Sequence, residues 1–180
     1  QQDGFLDKKL MPAEMIPAGE RPINQHWSWD RILRSCFIKQ ADVLQGLYLF
    51  EDKYDTETIK RNFDFYEPMT VHESSLSACI HSIMASRIRN IGRAYELYLR
   101  TARLDLDDYN HEVGDGLHIT SMAGTWLAIV EGFGGIRILD NKVHVNPLIP
   151  DQWKSYSFHV RFRGILFAVR VDHKELIINN

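Results

Sequence analysis

The sequence has little of the features that define several specialised protein classes. It contains two cysteines among 180 residues, and its formal net charge is −3. Two distant cysteines argue against a disulfide framework and against a zinc site built from closely spaced Cys pairs. The small net charge gives no electrostatic basis for binding nucleic acid. We therefore expect Cys36 and Cys79 to be buried, reduced thiols inside amphipathic helices, and we expect no nucleic-acid partner.

Long apolar runs are also missing. No stretch approaches the roughly 18 apolar residues that would span a bilayer, and no basic segment followed by an apolar one opens the sequence. We expect no membrane partner and a cytoplasmic location. The first residue is Gln1 and not Met, so we expect a piece of a longer protein.

What is present is ordinary for a folded chain, with 44% hydrophobic and 25% charged residues. This length supports one domain, or one domain with a small appendage. Residues 1–29 show no sustained period and are interpreted as an extended lead-in. Apolar spacing then predicts five helices, at 30–50, 56–66, within 74–88, at 92–105 and at 118–133. Asp30 and Thr56 are the predicted N-caps of the first two.

Beyond Gly135 the apolar period drops to two, which indicates short strands. Asp140-Asn141 is a hairpin signal, and further turns are predicted at Gly164 and at 172–174. The fold class is therefore mainly α with a small β part. We assign residues 1–134 to the helical part and residues 135–180 to a small antiparallel β-sheet domain.

The segment FIKQADV carries a Lys-Gln pair inside the first predicted helix. Burying an unpaired ammonium costs several kcal/mol unless an anion or a hydroxyl meets it. Two interpretations stay open for Lys39 and Gln40: a solvated helix surface, or a site for an anion or a sugar hydroxyl.

Two other segments place hydroxyl groups at helix starts. VHESSLS contributes Ser74 and Ser75, and GLHITSMAGTW contributes His118, Thr120 and Ser121. The first turn of a helix has unpaired N–H groups and a partial positive charge, which favour a bound anion. The alternatives are N-capping by Ser74 and a purely structural histidine.

The sequence does not match other common motifs for catalysis or metal binding. HESSLSACIH lacks the i, i+4 histidine spacing of a zinc-protease helix, and no glycine-rich phosphate loop follows a strand. The acidic residues Asp105, Asp107 and Asp108 lack the spacing of a calcium loop, so loop capping and solvation are expected of them. We expect no metal and no cofactor.

Four motifs resemble a known family: FIKQADV, YEPMTVHESSLSACIHSIMAS, RTARLDLDDYN and GLHITSMAGTWLAIVEGFGG. Together they are similar to the C-terminal third of family 65 of the glycoside hydrolases, particularly its maltose phosphorylase branch. The resemblance covers nearly the whole chain. It implies that residues 1–134 are the C-terminal portion of an (α/α)6 catalytic barrel, followed by a small antiparallel β-sheet domain.

The resemblance also implies a reaction. In the family, inorganic phosphate attacks the anomeric carbon of an α-linked glucoside such as maltose with inversion, which gives β-glucose 1-phosphate and frees the other sugar. Phosphate is thus a co-substrate, and Lys39 and Gln40 are expected to contact the disaccharide. The residues expected to bind phosphate are Ser74, Ser75, His118, Thr120, Ser121 and Gly124.

The family's general acid is a glutamate upstream of the matching segment, and nothing here corresponds to it. No catalytic residue is therefore expected in this chain, and the isolated chain is expected to be inactive without the rest of its parent enzyme. The full-length form is expected to be a homodimer.

Two alternatives remain. One is a hydrolase of the same family, of trehalase or kojibiose type, which needs a carboxylate base in place of the anion pocket. The other is a non-catalytic carbohydrate-binding or assembly module, in which Trp153, Tyr156 and Phe158 stack on sugar rings. For these aromatic side chains, packing against neighbouring helices is the competing interpretation.

Overall fold

The structure, a computed structural model, describes residues 4–180, so the first three residues of the predicted 1–134 segment lie outside it. In that range the α-helices are α1 Ile23–His26, α2 Trp29–Arg34, α3 Asp42–Leu49, α4 Thr56–Tyr66, α5 Ser77–Arg87, α6 Ile91–Ala102, α7 Leu104–Asp107 and α8 Ile119–Leu127. The strands are β1 Arg137–Leu139, β2 Lys142–His144, β3 Ser155–Phe162, β4 Ile165–Asp172 and β5 Leu176–Asn179. Single 3-10 turns occur at Phe5–Asp7, Ala13–Met15, Ala18–Glu20, Glu51–Lys53, Glu67–Met69 and Val113–Asp115, and α8 continues into a π-helical segment at Ala128–Phe133.

The first predicted helix, 30–50, is wrong as a single element. It is divided into α2 and α3, and α2 is capped by Ser28 and not by Asp30. The linker between them is extended because Ile38 pairs with a distant segment. Its N–H donates to the Met69 carbonyl (3.0 Å), and its own carbonyl accepts from the Val71 N–H (2.8 Å). A backbone held in this way cannot also make helical hydrogen bonds.

Both cysteines are free and buried, as predicted. The prediction that both lie in helices is wrong for Cys36, which occupies the linker and packs in a small cluster with Phe5, Ile38 and Met69. Cys79 is in α5, where burial raises the pKa of its thiol.

Helix α5 is the centre of the helical part. All residues from Ser77 to Ser86 are buried, which is typical of a helix surrounded by other elements. Leu44 of α3, Ile59 of α4 and Leu97 of α6 belong to the same core cluster as Ile83 of α5. Any side chain that α5 positions is therefore held from several sides.

The other helix predictions are confirmed with one change of cap. Helix α4 has the predicted bounds, but Asp55, not Thr56, is its N-cap, and its side chain accepts from the Thr58 N–H (2.6 Å). Helices α5 and α6 form the expected hairpin, and Asn90 caps α6 by accepting from the Arg93 N–H (3.3 Å).

The C-terminal part is antiparallel throughout, as predicted, but it contains two sheets. β1 and β2 form a hairpin whose turn residues Asp140 and Asn141 have φ values of 49° and 59°. Two positive φ angles are what a two-residue turn that matches strand twist requires. β3, β4 and β5 form a second sheet in that order.

The helical and β parts pack against each other through aromatic side chains, and Tyr156 contacts the core cluster of each part. The ring centroid of Trp153 lies 5.2 Å from that of Tyr98 in α6 and 4.9 Å from that of Phe133. The Tyr156 hydroxyl lies 2.7 Å from the Phe133 carbonyl oxygen and 2.8 Å from that of Leu148. These aromatic side chains are therefore packing groups. Among residues 4–180, no helix has both the length and the apolar character needed to cross a membrane.

Candidate functional site

The turn before α5 and the first turn of α8 meet through their hydroxyl groups. Ser75 Oγ lies 3.0 Å from Thr120 Oγ1, although 45 positions separate the two residues. Ser74 and Ser75 are half-buried, while Thr120 is exposed. Ser74 Oγ accepts from the Leu76 N–H at 3.3 Å within the turn before α5. The interpretation of Ser74 as the N-cap is wrong, because Leu76 is the N-cap of α5 and no side chain caps this helix. The two helix starts thus form one small polar surface.

Ser121 and Gly124 lie on the buried side of α8, one turn below that surface. The Ser121 hydroxyl donates to the Thr101 carbonyl of α6 (2.9 Å). A Cβ atom at Gly124 would lie 2.7 Å from Cys79 Cβ, so the backbones of α8 and α5 approach very closely there. In this geometry both residues hold α8 against its neighbours. Their contacts therefore fix the position of Thr120 relative to Ser75.

His118, the residue just before α8, is held by a carboxylate. Its Nδ1 lies 2.5 Å from Asp105 Oδ1, and its backbone N–H donates to Asp105 Oδ2 (2.9 Å). These two hydrogen bonds lower the pKa of Asp105, the side-chain one first. The prediction that Asp105 serves only loop capping and solvation is wrong. Asp108 does cap the loop, since its Oδ1 accepts from the Glu112 and Val113 N–H groups.

The second ring nitrogen of His118 faces another acid. Nε2 lies 3.7 Å from Glu112 Oε2, and the His118 side chain is 23% exposed. An anion that binds His118 Nε2 must therefore displace the Glu112 carboxylate. Glu112 lies in the same loop as Asp108.

Lys39 and Gln40 lie in the extended linker, and both are exposed. The interpretation of Lys39 as a cation embedded in a helix is therefore wrong for this structure. The linker still runs beside the first helix start, because the Lys39 carbonyl accepts from the Glu73 N–H (3.2 Å). This bond places the Lys39 backbone one residue away from Ser74.

Glu73, treated in the sequence as a flanking residue, is buried and anchors the lead-in segment. Its carboxylate accepts from the Ile23 N–H and from the Asn24 N–H (3.1 Å), at the start of α1. The lead-in, which was predicted to be extended, is thus attached directly behind the Ser74–Ser75 turn.

A buried charged network, which the sequence did not reveal, lies below the same turn. Arg93 donates to Glu67 Oε1 through Nη2 (2.5 Å) and Nε (2.9 Å). His72 Nδ1 lies 2.8 Å from Ser77 Oγ, and Arg100 donates to the His72 carbonyl at 3.2 Å. The His72 backbone has φ of 54°, an unusual value for a non-glycine residue. Arg100 and Ser77 thus hold a bent backbone in place.

Burial sets the protonation of this network. It lowers the pKa of His72 and that of His81, so both imidazoles are neutral near pH 7. Burial alone would raise the pKa of Glu67, but the nearby His72 and the charge of Arg93 lower it overall. A cavity of about 750 Å³ adjoins the network, lined among others by Glu67, His72, Arg93 and Arg100.

Sequence reasoning had no signal for these contacts. Glu67 and Arg93 are 26 positions apart and belong to different helical elements. Asp105 and His118 are 13 positions apart, across a polar loop. Periodicity describes one element at a time, so side chains that meet only through tertiary packing escape it.

Comparison with known proteins gives the context of this geometry. Residues 1–127 match the glycosyl hydrolase family 65 central catalytic domain, and residues 136–180 match the family's C-terminal domain. The chain is 55% identical to maltose phosphorylase of Bacillus subtilis and 42% identical to alpha,alpha-trehalose phosphorylase of Thermoanaerobacter brockii, in each case over 98% of this chain and 23% of the relative.

A solved structure from the human microbiome, which carries a provisional kojibiose phosphorylase name, is 42% identical. It superimposes with a TM-score of 0.92 over 99% of this chain and 24% of its own. The chain thus spans about a quarter of the length of the relatives it matches. It belongs to glycosyl hydrolase family 65, and it comprises sequence of both the central catalytic domain and the C-terminal domain.

Proposed function

We propose that this chain is the C-terminal part of an inverting disaccharide phosphorylase that cleaves maltose with inorganic phosphate into β-glucose 1-phosphate and glucose. The observation that carries the proposal is the contact between Ser75 and Thr120, which joins two helix starts into one donor surface. The 55% identity to maltose phosphorylase supports maltose over the other disaccharides.

In this proposal the phosphate lies against the hydroxyl groups of Ser75 and Thr120 and against His118. One of the two hydroxyls can donate to a phosphate oxygen while the Ser75–Thr120 hydrogen bond is kept, and both can donate once it opens. His118 donates from Nε2 when both of its ring nitrogens carry hydrogen, and the helix starts add unpaired backbone N–H groups. Asp105 holds the His118 ring in orientation. Ser74 shapes the turn, while Ser121 and Gly124 act through the position of α8.

Lys39 and Gln40 are proposed to contact the glucosyl unit. Both side chains are exposed beside the Ser74 turn, so they are free to reach a sugar bound next to the phosphate. The carboxylic acid that protonates the leaving oxygen is proposed to lie upstream of this chain. The 180-residue chain alone is then inactive.

A hydrolase is the competing outcome. It needs a carboxylate where the phosphorylase needs an anion pocket, because the base must remove a proton from water. Glu112 is the acid nearest to His118 Nε2, at 3.7 Å, and its displacement by phosphate is part of the proposal.

The test uses the complete enzyme that contains this chain. Maltose, trehalose and kojibiose are each supplied with and without phosphate, and the products are followed by ¹H and ³¹P NMR. We expect β-glucose 1-phosphate from maltose only when phosphate is present. Sugar release that does not depend on phosphate would establish the hydrolase instead.

Point variants test the proposed pocket. A hydrogen bond to a charged group contributes about 1.5–3 kcal/mol, so Ser75→Ala and Thr120→Ala should each raise KM for phosphate by roughly 10- to 100-fold. The KM for maltose should change much less. Ser157→Ala, at an exposed position on β3, is the matched control. An unchanged phosphate KM in both pocket variants would refute this site.

Two further measurements complete the proposal. Phosphate-dependent maltose cleavage by the 180-residue chain alone would contradict an upstream general acid. Sedimentation of the complete enzyme tests the expected homodimer.

A further inference from the structure

A second cluster of chemistry-bearing side chains lies in the buried network, apart from the Ser75–Thr120 surface. Glu67, His72 and His81 each offer one ligand atom, and the three atoms lie within 4.8 Å of one another. All three residues are buried, with His81 fully enclosed. Two imidazole nitrogens and a carboxylate oxygen are a common ligand set for zinc. We propose that these three residues bind one divalent transition-metal ion, for which Zn²⁺ is the probe.

Unpartnered nitrogen atoms are the first support. Neither ring nitrogen of His81 has a hydrogen-bond partner, and His72 Nε2 also lacks one, although all three atoms are buried. A buried polar group without a partner costs about 1–3 kcal/mol. A metal ion bound by one nitrogen of each ring and by Glu67 would engage two of these three atoms at once.

The groups behind the ligands are the second support. Ser77 Oγ at His72 Nδ1 (2.8 Å) can accept the Nδ1–H, which leaves the lone pair on Nε2, the atom that lies 3.7 Å from Glu67 Oε1. Arg93 donates to Glu67 Oε1. Metal-binding histidines and carboxylates are usually oriented by such outer hydrogen bonds.

Arg93 is also the main opposing factor, because its positive charge lies close to the proposed ion. The Arg93 side chain is 39% exposed, and its Nη1 already contacts Glu96 Oε2 at 2.7 Å. Glu96 therefore offsets part of the Arg93 charge while Arg93 keeps its hydrogen bond to Glu67. Salt screens the exposed part of its charge.

The three ligand atoms must move together from separations of at most 4.8 Å. Zinc holds nitrogen and oxygen ligands at about 2.0–2.2 Å in a tetrahedron, which puts neighbouring ligand atoms about 3.4 Å apart. The present separation between His72 Nε2 and Glu67 Oε1 is 3.7 Å. Glu67 and His72 also line the cavity of about 750 Å³, so an ion has an entry path and a water has room as fourth ligand.

The proposed ion would connect the segment that precedes α5 to the interior of α5. Glu67 and His72 come before the Ser74–Ser75 turn, and His81 comes after it. The site would therefore be structural, and it would fix both ends of the turn.

The experiment counts zinc on the purified complete enzyme that contains this chain. The enzyme is treated with a chelator, desalted, dialysed against Zn²⁺ and analysed by inductively coupled plasma mass spectrometry. We expect about one ion per chain, with affinity reduced at least ~10-fold in Glu67→Gln and in His81→Gln. Ser77→Ala removes an outer hydrogen bond and should weaken affinity by roughly 10- to 100-fold. His159→Gln, at an exposed position on β3, is the control and should bind like the wild type.

Circular dichroism establishes that each variant is folded. If His81→Gln does not fold, Glu67→Gln and Ser77→Ala decide the question. No zinc on the wild-type enzyme would overturn the proposal and indicate that water bridges the three residues. Zinc retained with unchanged affinity in the folded variants would overturn it as well, because the ion would then lie elsewhere.

Discussion

The close approach of α8 to α5 predicts an unusually sharp response to one methyl group. In Gly124→Ala the new Cβ would lie 2.7 Å from Cys79 Cβ and 2.9 Å from its Sγ. Carbon atoms in contact prefer about 3.5–4.0 Å, so the two helices must separate by close to 1 Å. Overpacking of this kind costs about 1–3 kcal/mol, and the opposing gain in helix propensity is about 1 kcal/mol. We expect a net loss of up to about 2 kcal/mol in the free energy of unfolding.

Gly46→Ala is the matched control. Gly46 lies in the middle of α3, and a Cβ there would meet nothing within 4 Å. Only the propensity gain remains, so this variant should be more stable by about 0.5–1 kcal/mol. Urea unfolding followed by circular dichroism measures both. The reasoning is refuted if Gly124→Ala gains stability as Gly46→Ala does.

Three further predictions concern buried or anchored groups. Tyr156→Phe removes a hydroxyl that contacts two main-chain carbonyl oxygens, so it should lower the free energy of unfolding by about 1–2 kcal/mol. Tyr54→Phe, at an exposed position, is the control and should leave the free energy of unfolding unchanged. Asp105→Ala should speed hydrogen exchange of the amide that its carboxylate holds, measured by NMR, and equal exchange would contradict that anchor. Because both thiols are buried and burial raises the pKa of Cys79, labelling by a disulfide reagent at pH 8 should be slow until urea unfolds the chain; rapid labelling of the folded chain would be inconsistent with this packing.

Most of the correct fold predictions came from patterns among residues that are close in sequence. Helix α4 and the Asp140-Asn141 hairpin depend on neighbouring residues, and the sequence indicated both correctly. The error at 30–50 has a non-local cause, because the pairing of Ile38 with Met69 and Val71 keeps the linker extended. No helical pattern in the linker itself could indicate a partner 31 to 33 positions away.

The candidate site shows the same difference between local features, which the sequence revealed, and non-local contacts, which it did not. Hydroxyl groups at two helix starts were visible in VHESSLS and GLHITSMAGTW, but their contact at 3.0 Å depends on how α5 and α8 pack. The partner of His118 was missed because acidic residues in a polar loop are usually solvated. Exposure of Lys39 was one of the two interpretations left open, but its place in an extended linker was missed because the linker was taken for a helix.

The aromatic cluster around Trp153 has a practical consequence for recombining relatives. Since Tyr98 and Phe133 press against Trp153 from the helical side, exchanging only residues 136–180 between two homologues would bring together surfaces that were never selected for each other. A chimaera should melt as cooperatively as its parents only if these three rings are transplanted together. The boundary between the helical part and residues 136–180 is therefore a poor junction for such a chimaera.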